Sequence, residues 1–299
     1  MYSSLISFLQ DAKIHYVENH SLKNENSLKI DTKADFSVYP SSNLELVEVA
    51  KFTRASGFKT VVVGNISNIL FRNAVYHGVV IHTRGIKTFS LCDDIATLGC
   101  GCSISSAIRQ MAEHGYGGLE SLAGIPGTIG GMIPSNAGAF GSEISDFLID
   151  TQVFDSIENK YFTLPKGKIG FSYRNSMFYN TDRYIILSSR LQFLPLSKNE
   201  INERILSFRQ KRNSSQPHQP SLGSVFKRQD NIGAGYYIDR AGLKGMRVGD
   251  AVVSPIHAGF IVNVGNATAH DFLSLVERIK EKIYTDFGIA LDTEIKIID

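Results

Sequence analysis

Three glycine-rich segments carry the residue types that bind phosphate. Gly124-Ile125-Pro126-Gly127-Thr128-Ile129-Gly130-Gly131 offers backbone amides that no Cβ shields, the requirement for cradling a pyrophosphate. It lacks a Gly-Lys-[Ser/Thr] ending, which excludes Walker-type nucleotide chemistry. Asn136-Ala137-Gly138-Ala139-Phe140-Gly141 follows closely and extends that surface. From composition alone, glycine-rich hairpins with no ligand fit these residues equally well. Val63-Gly64-Asn65-Ile66-Ser67-Asn68 follows a buried strand, where polar side chains can reach phosphate oxygens or a ribityl chain, or form a β-turn with an Asx cap. In Leu98-Gly99-Cys100-Gly101-Cys102-Ser103-Ile104 the dinucleotide pattern lacks its last glycine. Glu120 stands at the spacing of a ribose ligand but follows Gly117-Gly118-Leu119, not a hydrophobic strand. A tight strand-to-helix turn is the expectation there.

Other candidates read plainly. Cys100-x-Cys102 could open a metal site, but no second Cys/His pair lies at finger-like spacing, so no metal is expected. The three cysteines read as small buried thiols of a reducing cytoplasm. Alone, Arg174 reads as a surface arginine on a strand, and Ser224 as a hydroxyl capping a glycine turn. Glu294 reads as a solvated carboxylate sharing the polar face of a closing strand with Asp292 and Lys296. His257, beside Ala258 and Phe260, reads as a satisfied core histidine. Arg209, Lys211 and Arg212 form a basic cluster that is either a solvated helix face or a diphosphate contact.

The elements that must position these residues are legible in part. Ser42-Asn43-Leu44-Glu45 is a capping box opening a helix whose apolar stripe is Leu44, Val47, Ala50 and Ala55, stopping at Gly57. Phe36 to Tyr39 and Thr60 to Val63 read as strands. So do Thr151 to Phe154 and Tyr184 to Leu187. A basic helix is expected over 199–212, and an amphipathic one over 271–287 with Phe272, Leu275, Ile279 and Ile283 inward and Gly288 as its stop. A final strand is expected over 289–298. Strands mixed with helices throughout indicate α+β domains.

Composition bounds the rest. The 299 residues suffice for two or three folded units, and 31 basic against 29 acidic residues leave a net charge of +2. No general nucleic-acid binder is indicated. No apolar run reaches the ~18 residues of a membrane helix, and the first residues lack a signal peptide's basic and apolar regions. A cytoplasmic protein with no membrane partner is the expectation.

Taken in order, the segments resemble the UDP-N-acetylenolpyruvoylglucosamine reductases. The residues that carry the resemblance run from Gly118-Leu119-Glu120-Ser121-Leu122-Ala123-Gly124 through Gly131, then Asn136 through Gly141. They continue in Tyr173-Arg174-Asn175-Ser176-Met177-Phe178, Gln219 through Lys227, Ala241-Gly242-Leu243-Lys244-Gly245, His257 through Asn263, and Leu291-Asp292-Thr293-Glu294. The resemblance covers about residue 21 to the end and implies the shorter variant of the family. It implies a two-part FAD-binding region of the vanillyl-alcohol-oxidase (PCMH) type over 1–85 and 86–196, and an α+β substrate-binding domain over 197–299. It also implies NADPH as co-substrate, UDP-N-acetylglucosamine enolpyruvate as substrate, a role in peptidoglycan precursor synthesis, and a monomer.

Carried over by motif, Arg174, Ser224 and Glu294 are catalytic, with Ser224 as proton donor. Tyr173 and Lys227 are substrate-binding. Gly64, Asn65, Ser67, Asn68, Gly124, Ile125, Gly127, Thr128, Gly130, Gly131, Asn136 and Gly138 hold FAD. Two segments depart from the family pattern. Ile66 stands where the second glycine of Gly-x-Gly-Ser-Asn belongs, and Asp31-Thr32 replaces a glycine pair. A different FAD-linked oxidase on the same fold, or a nucleotide-sugar binding protein that has lost FAD, are the competing readings.

Overall fold

The computed structural model describes residues 2–299 and divides the chain into two compact units. One comprises residues 2–19, 35–65 and 77–210, and the other 20–34, 66–76 and 211–299. The second unit is therefore assembled from three separate stretches, two of them interrupting the first half of the chain.

In the first unit, a sheet runs in the order His15–Ser21, Lys33–Tyr39, Val75–His82, Thr60–Val63, the last two strands being parallel. The Asn43–Ala55 helix joins two of these strands. Ser42 caps it by accepting from the Glu45 N–H at 3.2 Å, and the Glu45 carboxylate reaches back to the Ser41 N–H at 2.8 Å. Its buried face is Leu46, Val47, Val49, Ala50 and Thr53, so Leu44 and Ala55, expected in the apolar stripe, lie outside it. Leu44, in the first turn, is 64% exposed.

A second sheet is antiparallel throughout, in the order Lys160–Pro165, Leu148–Asp155, Tyr184–Gln192, Ile95–Gly99, Phe89–Cys92. From its Ile95–Gly99 strand the chain turns through Cys100-Gly101-Cys102 into the Ile104–Glu113 helix, capped by the Ser103 hydroxyl. The expected strand-to-helix turn is present. The Glu120 carboxylate is buried and accepts from the Gly118 N–H at 2.7 Å, a structural duty in place of a ribose contact.

That turn depends on glycine. A Cβ on Gly101 would sit 1.9 Å from the Thr83 carbonyl oxygen and 2.8 Å from that of Ile86, both rigid backbone. Gly101→Ala is expected to destabilise the protein by about 3 kcal/mol, the upper range for overpacking, as read from the urea midpoint. Burial, followed by the charge of Cys102, pushes the Cys100 thiol up to about 12. Cys100 is thus a protonated packing residue. Among the described residues no group of three or more His, Cys, Asp or Glu side chains is arranged for a metal ion, and no helix is long and apolar enough to cross a membrane.

In the second unit, an antiparallel sheet runs Ser221–Ser224, Phe260–Asn263, Ala251–Val253, Arg247–Val248. The Ala269–Phe287 helix opens with a Thr268/Asp271 capping box and ends at Gly288, whose φ of 68° is the left-handed stop expected of glycine. Phe272, Leu275, Ile279 and Ile283 are buried together with Val253, Ile261, Leu28 and Leu70. The closing strand is shorter than expected, only Lys296–Ile298, paired in parallel with Ile69–Phe71. Residues 292–294 instead make isolated bonds to 225–227, and the change of partner breaks the ladder. The basic helix spans Lys198–Ser215, longer than the expected 199–212.

Candidate functional site

Within the first unit, the two glycine segments expected to hold FAD face each other. A Cβ on Gly64 would lie 2.1 Å from Thr128 Oγ1, so only glycine lets the 64–65 turn approach this closely. Asn65 Nδ2 donates to the Pro126 carbonyl at 3.1 Å, and Thr128 Oγ1 accepts from the Gly131 N–H at 3.3 Å. The amides of Ile129, Gly130 and Gly131 donate to the carbonyls of Cys102, Cys100 and Thr128. These glycines therefore serve close packing as well as any ligand. The rim formed by Gly124, Pro126 and Gly131 is exposed, with Ile125 and Gly130 half-buried. Gly127 is buried, and its Cβ position lies 2.7 Å from Met132 Cγ.

Arg174 is tied to the same loop system. It lies in a turn closed by mutual Ser172 and Asn175 backbone bonds, not on a strand as its neighbours suggested, and its φ is 51°. Its Nη1 and Nη2 donate to the carbonyls of Asn136 and Gly138 at 3.3 and 3.0 Å, and the guanidinium lies 5.3 Å from the Tyr173 ring centroid. The Asn136 side chain is buried and internally engaged. Nδ2 donates to Glu143 and to the Ser172 carbonyl, while Oδ1 accepts from the Ser145 N–H. The side chain that looked available for a ligand thus holds the loop, leaving backbone at 136–138 as the surface beside Arg174.

Within the second unit, four expected residues converge through short backbone bonds. Ser224 ends the Ser221–Ser224 strand, and its hydroxyl donates to the Phe226 carbonyl at 3.2 Å. The Glu294 N–H donates to Val225 O at 2.8 Å, and the Lys227 N–H donates to Asp292 O at 2.9 Å. Asn68 Nδ2 donates to the Glu294 carbonyl at 3.1 Å, and the Lys296 N–H donates back to Asn68 O. Ser224, Lys227 and Glu294 are all half-buried, so Glu294 is not the fully solvated carboxylate that alternation suggested. Ser67 is half-buried beside Asn68.

Ile66 takes φ 47° and is 2% exposed, its carbonyl accepting from the Ser27 N–H. A β-branched residue in this region costs on the order of 1–3 kcal/mol. Burial of the side chain offsets that cost, so the loop keeps a glycine-like backbone without glycine. Asp31 accepts from the Ser21 hydroxyl at 2.6 Å, and the buried Thr32 receives the Leu22 N–H at its carbonyl. Both departures are absorbed by local packing.

Sequence reasoning assigned no function to His257. Its imidazole lies against Gly235, Gly259 and the Phe260 ring, and a Cβ on Gly259 would meet both the imidazole and Ser224 Oγ. The contact with Gly235 is non-local, whereas Gly259 and Phe260 lie two and three residues along the chain.

FAD carries a diphosphate, and the chemistry of the first unit fits one. Residues 64–65 and 124–138 contain no acidic side chain, while Gly64, Asn65 and Thr128 bring a glycine turn, an amide and a hydroxyl together.

Comparison with known proteins matches two families along the chain. Residues 34–158 match the FAD binding domain family, and residues 216–298 match the family described as UDP-N-acetylenolpyruvoylglucosamine reductase, C-terminal domain. The chain is 39% identical over 293 residues to UDP-N-acetylenolpyruvoylglucosamine reductase of Caldicellulosiruptor saccharolyticus, covering 97% of this chain and 94% of that one. It is 36% identical to UDP-N-acetylenolpyruvoylglucosamine reductase 2 of Bacillus cereus, covering 95% and 93%. The crystal structure of the Thermus caldophilus reductase superposes with a TM-score of 0.80 at 31% identity, covering 96% of this chain and 99% of that one. The α+β architecture, the glycine segments and near-complete coverage at these identities place the chain in the UDP-N-acetylenolpyruvoylglucosamine reductase family of FAD oxidoreductases.

Proposed function

We propose that the protein reduces the enolpyruvyl ether of UDP-N-acetylglucosamine enolpyruvate to UDP-N-acetylmuramate, with NADPH as reductant, in peptidoglycan precursor synthesis. The observation that carries this reading is the meeting of Ser224, Lys227 and Glu294 on one set of backbone bonds in the second unit. Residues 1–85 and 86–196 would be the two parts of the FAD-binding region and 197–299 the substrate domain.

Gly64, Asn65, Ser67, Asn68, Gly124, Ile125, Gly127, Thr128, Gly130, Gly131, Asn136 and Gly138 would hold FAD. Bound there, FAD would supply the hydride, with NADPH as its source. The chain's own residues do the rest. Addition at the vinyl carbon pushes electron density toward the substrate carboxylate, where the forked, permanently charged Arg174 stabilises it. Ser224 Oγ–H gives its proton to the carbon beside the carboxylate and regains one from solvent. A serine hydroxyl is a weak acid, so the positive charge of Lys227 favours its transient alkoxide. Glu294 orients the substrate beside Ser224, and Tyr173, with Lys227, contacts the substrate.

The test is NADPH oxidation by the FAD-loaded protein with and without the enolpyruvyl substrate. A flavin absorption band with substrate-dependent oxidation is expected. Failure to take up added FAD would support a binding protein, and oxidation indifferent to the substrate would support a different flavin enzyme.

A further inference from the structure

We propose that His257 is a positioning residue for Ser224 and Glu294, acting as an imidazole clasp on the Gly259 peptide. The inference rests on the proposed role of Ser224 as proton donor. The chain of bonds is continuous. His257 Nδ1 accepts from the Gly259 N–H at 3.1 Å, and the Gly259 carbonyl accepts from the Val225 N–H at 2.9 Å. The Val225 carbonyl in turn accepts from the Glu294 N–H at 2.8 Å. Ser224 sits directly opposite Phe260 across the strand pair. One ring nitrogen therefore holds Gly259, the residue whose carbonyl receives the Val225 N–H, between Ser224 and the bond to Glu294.

The surroundings are built for that ring. The 254–260 loop is cinched by Ser254 Oγ, which accepts from the Ile256 and His257 amides, and by the Phe260 N–H donating to His257 O. Two glycines leave the slot open. A Cβ on Gly235 would lie 3.2 Å from His257 Cε1, and one on Gly259 would lie 3.0 Å from Cε1 and 3.5 Å from Ser224 Oγ. The Phe260 ring closes the slot in an edge contact, its centroid 4.9 Å from that of the imidazole. An acceptor Nδ1 requires the neutral ring with its proton on Nε2. Burial, with Lys244 nearby, holds the His257 pKa below its ordinary value and so favours that form.

The geometry distinguishes two amides. Asparagine at 257 places an acceptor near the Nδ1 position, whereas glutamine places its polar atoms near Nε2. In the FAD-loaded enzyme, His257→Gln should slow the substrate half-reaction about 10–100-fold, the scale of a misplacement near 1 Å, and leave flavin reduction by NADPH unchanged. His257→Asn should restore most of the rate. In the FAD-free protein, hydrogen exchange at the Gly259 amide should accelerate in His257→Gln and stay slow in His257→Asn. Gly259→Ala, which wedges a methyl between ring and hydroxyl, should reproduce the glutamine variant's kinetics.

Equal rates and equal Gly259 protection in the asparagine and glutamine variants would overturn the clasp. Ser224→Ala, run in parallel, separates the two ideas. If it turns over normally, the proton-donor reading fails. If it is inactive while His257→Gln is at full rate, only the clasp fails.

Discussion

Ser224→Ala is expected to keep wild-type reduction of bound flavin by NADPH and to lose about 10²–10⁴-fold in the rate of substrate reduction, the usual contribution of a positioned proton donor. Rapid-mixing absorbance separates the two half-reactions, because the flavin band first bleaches and then returns. Among the described residues the hydroxyl bonds only to the Phe226 carbonyl, two residues away at 3.2 Å. Its removal should therefore cost about 1 kcal/mol or less in stability, and lost activity would not reflect unfolding. A wild-type rate of flavin re-oxidation by substrate would remove Ser224 from the mechanism.

The second large effect is expected at Arg174. Alanine there deletes both the charge proposed to face the substrate carboxylate and the two bonds to the Asn136 and Gly138 carbonyls. A fall in kcat/KM of about 10³-fold is the scale of losing one preorganised electrostatic partner. Arg174→Lys keeps a charge but not the fork, so it should recover only part of the loss and should not hold both carbonyls. FAD affinity of both variants, measured by flavin fluorescence, separates loop loosening from lost electrostatics. If Arg174→Ala binds FAD as the parent does and turns over at the parent rate, the carboxylate role is wrong.

What the residues disclosed in advance was mostly local. The Ser42 cap, the Gly288 stop and the turn at 99–104 each need only a few neighbouring side chains, and each stands as read. Leu44 misled because a first-turn residue can satisfy the helical period while projecting past the packed face. Arg174 misled for a different reason. Its left-handed turn is imposed by Ser172 and Asn175 closing on each other and by carbonyls 36 and 38 residues away, none of which periodicity can express. The roles given to Arg174, Ser224 and Glu294 came from the motifs' order along the chain, since each alone looked like ordinary surface chemistry. His257 reads from its apolar neighbours only as a satisfied core histidine, because the bond from the Gly259 N–H to its ring nitrogen is a contact that composition does not reveal.

The parallel pairing of Lys296–Ile298 with Ile69–Phe71 has a consequence for how the polypeptide is made. Leu28, Ile30 and Leu70 emerge from the ribosome early, yet their apolar partners lie beyond residue 221. Through most of translation they have no native core to enter, and at ~5–20 residues per second that wait lasts ten seconds or more. A nascent chain in this state is a natural client for a chaperone, and a stop codon a few residues upstream of Lys296 would leave the early strand without its mate.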